Sequence, residues 1–375
     1  MIYFDNGASS HPKPENVYEK TYRFVRGNGA NCGRSSHALA IEAAEKIFQT
    51  RKALADFFHV DGAENVVFSL NATYALNTVL HGLIQPGDHV ITTDLEHNSV
   101  LRPLYALQKN GCTLDIIETD LENDAVTLER IAKRIQPNTK AIVVTQCSNV
   151  CGKMLPIDQI AALKRDGIVL VVDGSQGAGS IPTDFKALGI DYYCAPSHKG
   201  MLGWQGAGFI LCGQNQLSPL AFGGTGGDSF LQTQPDYLPE RLEAGTLPIP
   251  AIYSLYEGVR YLKARGMNNI FRHKTQLTSQ LYDELSQIPE IRLYTDITRV
   301  PSPGVLSFNV GGRPSEEIGN FLGRHGVAVR SGLHCAPLFH QKMGTEQQGM
   351  VRVTFGYANT KTQVSDFVKI LKKYS

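Results

Sequence analysis

Short apolar runs alternate with amphipathic stretches through the middle of the chain, from about residue 64 to residue 212. The apolar runs predict seven strands, at 65–69, 89–93, 113–118, 141–145, 169–172, 192–195 and 207–211. Between them, apolar residues recur at helical spacing and predict helices at 73–83, 100–109, 128–135 and 157–165. This alternation predicts an α/β fold with a mostly parallel seven-stranded sheet flanked by helices.

The regions on either side predict a second, smaller unit. A long amphipathic helix at 38–58 precedes the strands, and the glycines of 223–227 predict an irregular loop. Downstream, the pattern predicts helices at 251–264, 270–286, 315–325 and 363–373 and strands at 305–309, 328–330 and 350–354. We therefore expect an N-terminal segment (1–15) that packs with the small domain, a large α/β domain (16–250) and a small α+β domain (251–375).

Composition narrows the classes of function. A chain of 375 residues is long enough for two domains, and its net charge of +1 argues against nucleic acid or an anionic membrane as the main partner. No apolar run approaches the about 18 residues that span a bilayer, and the N-terminus lacks a basic region followed by an apolar stretch. We expect a cytoplasmic protein.

The seven cysteines are spread widely and do not have the spacing of paired zinc ligands or of a disulfide framework. We expect no metal site, and we expect most of the cysteines to be buried as small hydrophobic residues. Cys335 is the exception that is argued below.

Two residues indicate the chemistry of the large domain. Asp173 follows the apolar run 168–172, which places a carboxylate at the carboxyl edge of the predicted sheet, where ligands of such sheets bind. Lys199 follows 26 residues later in Ala-Pro-Ser-His-Lys-Gly. A lysine that forms a Schiff base and an acid for a pyridine nitrogen are what pyridoxal 5'-phosphate (PLP) requires of a protein.

Other polar residues follow neighbouring strands, each with an ordinary structural alternative. Ala72 and Thr73 open a helix after a strand, which suits a phosphate or a simple N-cap. His97 suits stacking on an aromatic ring or a plain loop position. Asn149 and Gln176 carry amides able to bond a cofactor or substrate oxygen. His198 suits a phosphate donor or a packed neighbour of Lys199.

Together these residues resemble a known family. The chain is similar to the class V, fold type I PLP enzymes, and among them to the SUF-type cysteine desulfurases. The motifs that carry the resemblance span the chain: Tyr3–Ser9, Asn71–Thr73, Glu96–His97, Ser148–Gly152, Val172–Gln176, Ser197–Gly200, Arg241–Thr246, Val329–Pro337 and Arg352.

The resemblance implies PLP fold type I and a role for each matching residue. Lys199 would bond PLP covalently and Asp173 would contact its pyridine nitrogen. His97 would stack on the ring and serve catalysis. The remaining cofactor contacts would come from Gln176 at the ring hydroxyl, from Asn149, from Ala72, Thr73 and His198 at the phosphate, and from Thr246 at the phosphate of the partner subunit in a homodimer.

The small domain would supply the substrate side. Arg352 would bind the substrate carboxylate, with Asn149 close to it and Arg330 nearby. Cys335 occupies the position of the family's sulfur-accepting cysteine, and we expect the positive charge of Arg330 and His334 to favour its thiolate. The resemblance therefore implies conversion of L-cysteine to L-alanine, with a Cys335 persulfide passed to an acceptor protein or thiol for sulfur mobilisation and iron–sulfur cluster assembly.

The chain departs from the family pattern at a few positions, and alternatives stay open. Pro196 stands where a small hydroxyl residue is usual, so one phosphate hydrogen bond is lost or comes from Ser197. Gly7 replaces a common alanine, Tyr74 an acidic residue and Leu333 a polar residue. A selenocysteine or cysteine-sulfinate lyase, a class V aminotransferase and a non-catalytic PLP-binding scaffold are the competing interpretations.

Overall fold

The structure is a computed structural model and describes residues 1–33, 35–214, 216–298 and 301–374. The strands are β1 Ile2–Tyr3, β2 Val66–Ser69, β3 His89–Thr93, β4 Thr113–Ile117, β5 Thr139–Thr145, β6 Val169–Asp173, β7 Tyr192–Pro196, β8 Gly208–Cys212, β9 Ile291–Leu293, β10 Val305–Val310, β11 Val327–Ala328, β12 Arg330–Gly332 and β13 Met350–Thr354. The helices are α1 Glu15–Gly27, α2 Ala38–Phe58, α3 Ala72–Leu83, α4 Asn98–Lys109, α5 Asp124–Arg134, α6 Ile157–Ala162, α7 Ile249–Arg265, α8 Met267–Ser286, α9 Ser315–Arg324, α10 Pro337–Met343 and α11 Lys361–Leu371.

The predicted α/β fold is confirmed by a seven-stranded sheet in the order β2-β8-β7-β6-β5-β3-β4. All neighbouring pairs from β4 to β7 are parallel, and β8 runs antiparallel to both of its neighbours. In β6, Leu170 and Val172 join the core on one face while Val169 and Val171 join the core on the other. Because both faces are covered, the strands are continuous apolar runs, as expected of a buried parallel sheet.

The carboxyl ends of six strands lie at one edge of this sheet. The strands from β3 to β7 are parallel to one another, and β2 points the same way because β2 and β7 are both antiparallel to the β8 strand between them. The residues that follow these strands are therefore brought together, although they span more than 120 positions of sequence from Asn71 to Lys199. This edge is where an open α/β sheet binds its ligands.

The C-terminal third builds a smaller unit on a four-stranded sheet in the order β12-β13-β10-β9. Its core contains apolar residues of α8, α9 and α11 together with Phe4 from the N-terminal segment. The ring of Phe4 is fully buried and packs edge-on against Phe355 and Phe367. The domain bounds at 15 and 250 stay a prediction, but the N-terminal segment packs on this unit.

The structure differs from the predicted elements in a few places. The strand predicted at 328–330 is divided between β11, which pairs with β1, and β12, which pairs with β13. The pairing changes there because the backbone of Phe4 lies between β11 and β13. Its N–H donates to the carbonyl of Ala328, and its carbonyl accepts from the backbone N–H of Thr354. The helix predicted at 157–165 ends at Ala162, ahead of a turn that leads into β6. The short elements β1, β9 and α10 and the amphipathic helix α1 were not predicted.

Two sequence expectations about the whole chain can be compared with the structure. Five of the seven cysteines are buried, Cys32 is partly exposed and Cys335 is exposed, and all seven are free thiols. Within the described residues, none of the helices combines the length and the apolar character that crossing a membrane requires.

Candidate active site

A cavity of about 510 Å³ opens at the carboxyl edge of the large sheet, and both Lys199 and Asp173 line it. Asp173 ends β6 and is 2% exposed. Its Oδ1 accepts a hydrogen bond from the backbone N–H of Ser175 at 2.8 Å, and the described residues give no partner to its other oxygen. Burial lowers the pKa of Lys199 to about 8, with Arg352 and Arg330 acting in the same direction and Asp173 opposing them. The amine form of Lys199 is therefore accessible near neutral pH.

The N-terminus of α3 forms one end of the cavity. Asn71 caps the helix by accepting from the backbone N–H of Tyr74 at 2.9 Å, which leaves the N–H groups of Ala72 and Thr73 without intrahelical partners. Gly208 of β8 packs closely against this helix terminus, and a Cβ at position 208 would lie 2.7 Å from the backbone of Asn71. Free N–H groups at the positive end of a helix dipole suit a phosphate.

His198 lines the same cavity and has an unsatisfied nitrogen. Its Nδ1 is buried and has no hydrogen-bond partner in the described part of the chain. Burial lowers the pKa of His198 to about 4, helped by the charges of Lys199 and Lys13. The ring is therefore a neutral group near neutral pH, able to donate one hydrogen bond to an anion in the cavity.

His97 occupies the N-cap of α4 and faces the cavity. Its Nδ1 accepts from the backbone N–H of Ser99 at 3.0 Å and lies 2.8 Å from the Ser99 hydroxyl, which lies 2.7 Å from the hydroxyl of Thr73. Burial lowers the pKa of His97 to about 4, with Lys199 and the two arginines of the site acting in the same direction and Asp173 opposing them. The structure thus joins two predicted site residues through a serine that was not predicted.

Arg352, in the middle of β13, is 1% exposed and already has protein partners. Its Nη2 donates to Asp5 Oδ1 and its Nη1 donates to the carbonyl of Asn149, both at 3.0 Å, while its Nε has no hydrogen-bond partner among the described residues. Gly7 lies against it: a Cβ there would approach Nη2 to 3.2 Å and Thr354 Cγ2 to 2.8 Å. An alanine at position 7, the residue expected from the family resemblance, would therefore push Arg352 and Thr354 away from the N-terminal segment.

Cys335 is exposed on the loop that connects β12 to α10. His334 and Cys335 both have positive φ, at 51° and 58°, which is strained for residues other than glycine. The loop is fixed to the large domain, because Cys335 O accepts from the N–H of Asn98 and His334 O accepts from the Asn149 amide, both at 2.8 Å. The backbone of Cys335 is thus held beside Asn98, the residue that follows His97.

The structure corrects one expectation about this cysteine. His334 was expected to contribute positive charge, but it is 3% exposed and burial depresses its pKa well below the usual value, so its ring is neutral. Its Nε2 donates to the carbonyl of Met350 at 3.0 Å. Arg330, which pairs with Arg352 across the strands and is exposed, is left as the predicted source of positive charge.

Other predicted residues have different surroundings from those expected. Gln176 lines the cavity, but its amide donates to the carbonyl of Gly7 at 3.1 Å. Ser197, the suggested substitute phosphate ligand, donates its hydroxyl to the carbonyl of Trp204. Thr246 is exposed and lines a separate cavity, together with Phe48 and Tyr237. In a single chain, Thr246 therefore does not join the Lys199 site.

Four further residues belong to the site although sequence reasoning did not select them: Asp5, Lys13, Ser99 and Cys147. Lys13 is buried and donates at 2.6 Å to the carbonyl of His198, and burial lowers its pKa to about 7. Cys147 lines the cavity as a buried thiol whose pKa is raised by burial. The position of Ser99 two residues after His97, at the start of a helix, was the only signal available for it.

The residues present fit PLP. The cavity combines an amine, a buried acid with an unused oxygen, free N–H groups at a helix N-terminus and the unsatisfied Nδ1 of His198. The described residues contain no group of three or more His, Cys, Asp or Glu side chains placed to hold a metal ion.

Comparison with known proteins agrees with the resemblance seen in the sequence. Residues 2–367 match the aminotransferase class-V family. The chain is 31% identical to a probable cysteine desulfurase of Methanothermobacter thermautotrophicus, over 97% of this chain and 92% of that protein. The structure superposes with a TM-score of 0.91 on the apo cysteine desulfurase of Thermococcus onnurineus, at 31% identity, covering 100% of this chain and 94% of the other. A cysteine desulfurase of Escherichia coli, in an S-sulfonic acid form, gives a TM-score of 0.88 at 26% identity, covering 99% and 94%.

The buried ion pair of Arg352 generates a prediction about stability. Substitution Asp5→Ala leaves the guanidinium buried without its carboxylate partner, and we expect the free energy of unfolding of the apoprotein to fall by about 3 kcal/mol. Asp366→Ala removes an exposed partner of Lys369 and serves as the matched control, with an expected loss below about 0.5 kcal/mol. Urea unfolding followed by circular dichroism measures both, and equal losses in the two variants would contradict the role given to Asp5.

Proposed function

The chain belongs to the aminotransferase class-V family, and from this membership we propose that it is a PLP-dependent cysteine desulfurase that converts L-cysteine to L-alanine and carries the sulfur as a persulfide on Cys335. The observation on which the proposal depends is the placement of the exposed Cys335 thiol. It lies on a strained loop that is hydrogen-bonded to Asn98, directly after His97 at the cavity of Lys199 and Asp173.

Eight of the predicted residues would hold PLP in the cavity. Lys199 would bond its aldehyde carbon, and the free oxygen of Asp173 would keep the pyridine nitrogen protonated. The N–H groups of Ala72 and Thr73 and the ring of His198 would bind the phosphate, and His97 would stack on the pyridine. Asn149 and Gln176 line the same cavity. When bound, PLP supplies an aldehyde for the substrate amine and an electron sink for the carbanion at Cα.

The protein groups would then bind the substrate and move protons. The substrate carboxylate would meet Arg352, whose Nε has no hydrogen-bond partner in the part of the chain that the structure describes, with Arg330 on the neighbouring strand adding positive charge. The Lys199 amine, with its lowered pKa, would take the proton from Cα. Asp5 would stay on Nη2 of Arg352 and hold the guanidinium plane in place.

Cys335 would take up the sulfur. Its thiolate would attack the sulfur of the substrate, and an S–S bond would form as the C–S bond breaks with its electrons staying on the carbon skeleton. Protonation of that carbon gives alanine, so cysteine and a thiol become alanine and a persulfide with no external oxidant. The exposure of Cys335 would allow an acceptor protein or small thiol to collect the sulfur, in the cytoplasm and for uses such as iron–sulfur cluster assembly.

A first prediction separates desulfuration from its alternatives. Cys335→Ala removes the nucleophile for sulfur, so we expect alanine formation from L-cysteine to fall by at least about a hundredfold while PLP binding is unchanged. Cys112→Ala, a thiol just before β4 at the amino end of the sheet and outside the cavity, is the matched control and keeps its activity. Alanine is measured by chromatography after single and multiple turnovers.

The outcomes of that experiment discriminate between the possible reactions. Undiminished alanine formation by Cys335→Ala contradicts the persulfide mechanism. Activity that requires an added keto acid indicates an aminotransferase. Loss with L-cysteine but not with selenocysteine or cysteine sulfinate indicates a lyase. Bound PLP with no turnover of any substrate indicates a non-catalytic scaffold.

A second prediction concerns the pH dependence of PLP capture by the apoprotein. Capture needs the neutral amine of Lys199, so the rate should rise about tenfold per pH unit up to the pKa of about 8 and level off above it. Asp173 opposes the lowering of that pKa, because its negative charge favours the ammonium form. Asp173→Asn should therefore move the midpoint to lower pH. Stopped-flow absorbance in the visible measures the rate, and a midpoint near that of an ordinary lysine would contradict the assignment.

We also propose that the active unit is a homodimer, formed through the face around Thr246. Thr246 lines an open cavity of about 1630 Å³ with Phe48 and the glycine loop. Phe48 is 60% exposed, and Phe222 and Phe230 on the adjoining loop are 74% and 102% exposed. Large exposed aromatic residues grouped on one face indicate an interaction surface. Such a dimer would carry Thr246 to the phosphate of the partner subunit.

The dimer generates a third prediction. Phe48→Glu places a charge in the interface and should raise the dimer dissociation constant at least about thirtyfold. PLP retention should fall in parallel, because each site loses Thr246 of its partner subunit. Ile116→Glu, on the partly exposed strand β4 at the opposite edge of the sheet, is the control and should leave the dimer intact. Light scattering across a dilution series tests this, and a fully PLP-loaded, active monomer would refute the proposal.

A further inference from the structure

We propose that Ser99 is a positioning residue that fixes the proton of the neutral His97 imidazole on Nε2, the nitrogen left for the cavity. Ser99 is 8% exposed and lies in the first turn of α4, two residues after His97. It approaches the same nitrogen of His97 twice, with its backbone N–H at 3.0 Å and its hydroxyl at 2.8 Å. The inference deepens the proposed function, since it concerns the histidine that would stack on PLP.

The direction of each hydrogen bond follows from the proton count. A backbone N–H can only donate, so Nδ1 must carry a lone pair, and the single proton of the neutral ring must be on Nε2. The Ser99 hydroxyl can then only donate to Nδ1. Its oxygen is left to accept from the hydroxyl of Thr73, 2.7 Å away. The chain of donors therefore runs from Thr73 to Ser99 to His97.

Because of these hydrogen bonds, the tautomer of His97 does not depend on whether an anion is bound at the N-terminus of α3. If Thr73 turns its hydroxyl toward an anion seated at α3, the Ser99 hydroxyl still has its proton for Nδ1. The described residues give the Nε2 atom of His97 no hydrogen-bond partner, and the ring lines the cavity. Ser99 therefore keeps an N–H donor, and not a lone pair, directed away from α4.

The charges around His97 support a neutral ring. The ionisable groups that act on it are Lys199, Arg330 and Arg352, which disfavour the imidazolium ion, and Asp173, which favours it. Burial is the largest effect and also disfavours the charged form. The backbone N–H of Ser99 acts in the same direction, because it can bond only the lone pair of the neutral Nδ1. With the Thr73 hydroxyl directed at the Ser99 oxygen, the proton of the Ser99 hydroxyl is available for the same lone pair.

The experiment uses the apoprotein, so that it is independent of the proposed desulfurase activity. Protein labelled with ¹⁵N at its 11 histidines is compared by long-range ¹H–¹⁵N NMR as wild type, Ser99→Ala and Ser99→Thr, with the His97→Asn spectrum giving the assignment. Ser365→Ala, which removes a helix hydroxyl bonded to Glu284 far from the cavity, is the matched control. Circular dichroism checks folding, and Ser99→Gly replaces the alanine variant if that one is unfolded.

We expect wild type, Ser99→Thr and Ser365→Ala to show His97 with a lone pair on Nδ1 and a proton on Nε2. In Ser99→Ala one of the two donors is lost, so the ratio of the two tautomers should fall about fivefold and the pKa of His97 should rise by about half a unit to one unit. The same Nδ1 frequency and titration in Ser99→Ala as in wild type would overturn the inference. A folded Ser99→Thr that behaves like Ser99→Ala would overturn it as well.

Discussion

The arrangement of the site depends on one buried charge, the guanidinium of Arg352. A charge that is removed from water must be paired, and its partners here come from two distant parts of the chain: Asp5 in the N-terminal segment and the carbonyl of Asn149 after β5. Satisfying it therefore requires the N-terminal segment, the small sheet and the large sheet to meet at one point. The same segment continues to Ser10, whose backbone N–H donates to the carbonyl of His198 and whose hydroxyl donates to the carbonyl of Lys199. Fold and site are in this sense specified by the same contacts.

The direction of the strands in the large sheet is the second constraint, because it decides which polar groups line the cavity. Six strands end at one edge, and α3 begins there with the free N–H groups of Ala72 and Thr73 at the cavity. Burial lowers the pKa of both cavity histidines, His97 and His198, to about 4, so these rings are neutral near neutral pH. The basic groups that remain are Lys199, Lys13 and the arginines of the small unit. Because the donors outnumber the acidic groups Asp173 and Asp5, the cavity favours a ligand with several negative groups, as the phosphate of PLP and the carboxylate of an amino acid provide.

Much of this could be predicted from sequence, and the failures have a common physical cause. The seven strands and the positions of Lys199 and Asp173 follow from local apolar patterns, because a buried strand and the residue after it are local features. Asp5 bonds a residue 347 positions away, and the division between β11 and β12 depends on Phe4, which no local pattern indicates. His334 was assigned a positive charge because the sequence shows the residue type but not its burial. Ser99 is local, yet its role depends on where α4 begins.

Cys335 is exposed, whereas its neighbours Arg352 and His334 on the small unit are buried. Its loop is held by backbone carbonyls that accept from Asn98 and Asn149, so the fixing of the loop does not involve the thiol itself. Positive φ at both His334 and Cys335 turns the chain outward at this point, and such strain persists only where the surrounding contacts impose it. A buried thiol such as Cys147, whose pKa is raised, is unsuited to attack. The proposed role of Cys335 as sulfur carrier requires access to the substrate on one side and to an acceptor on the other, and a loop that is anchored by its backbone while its side chain stays in solvent suits that role.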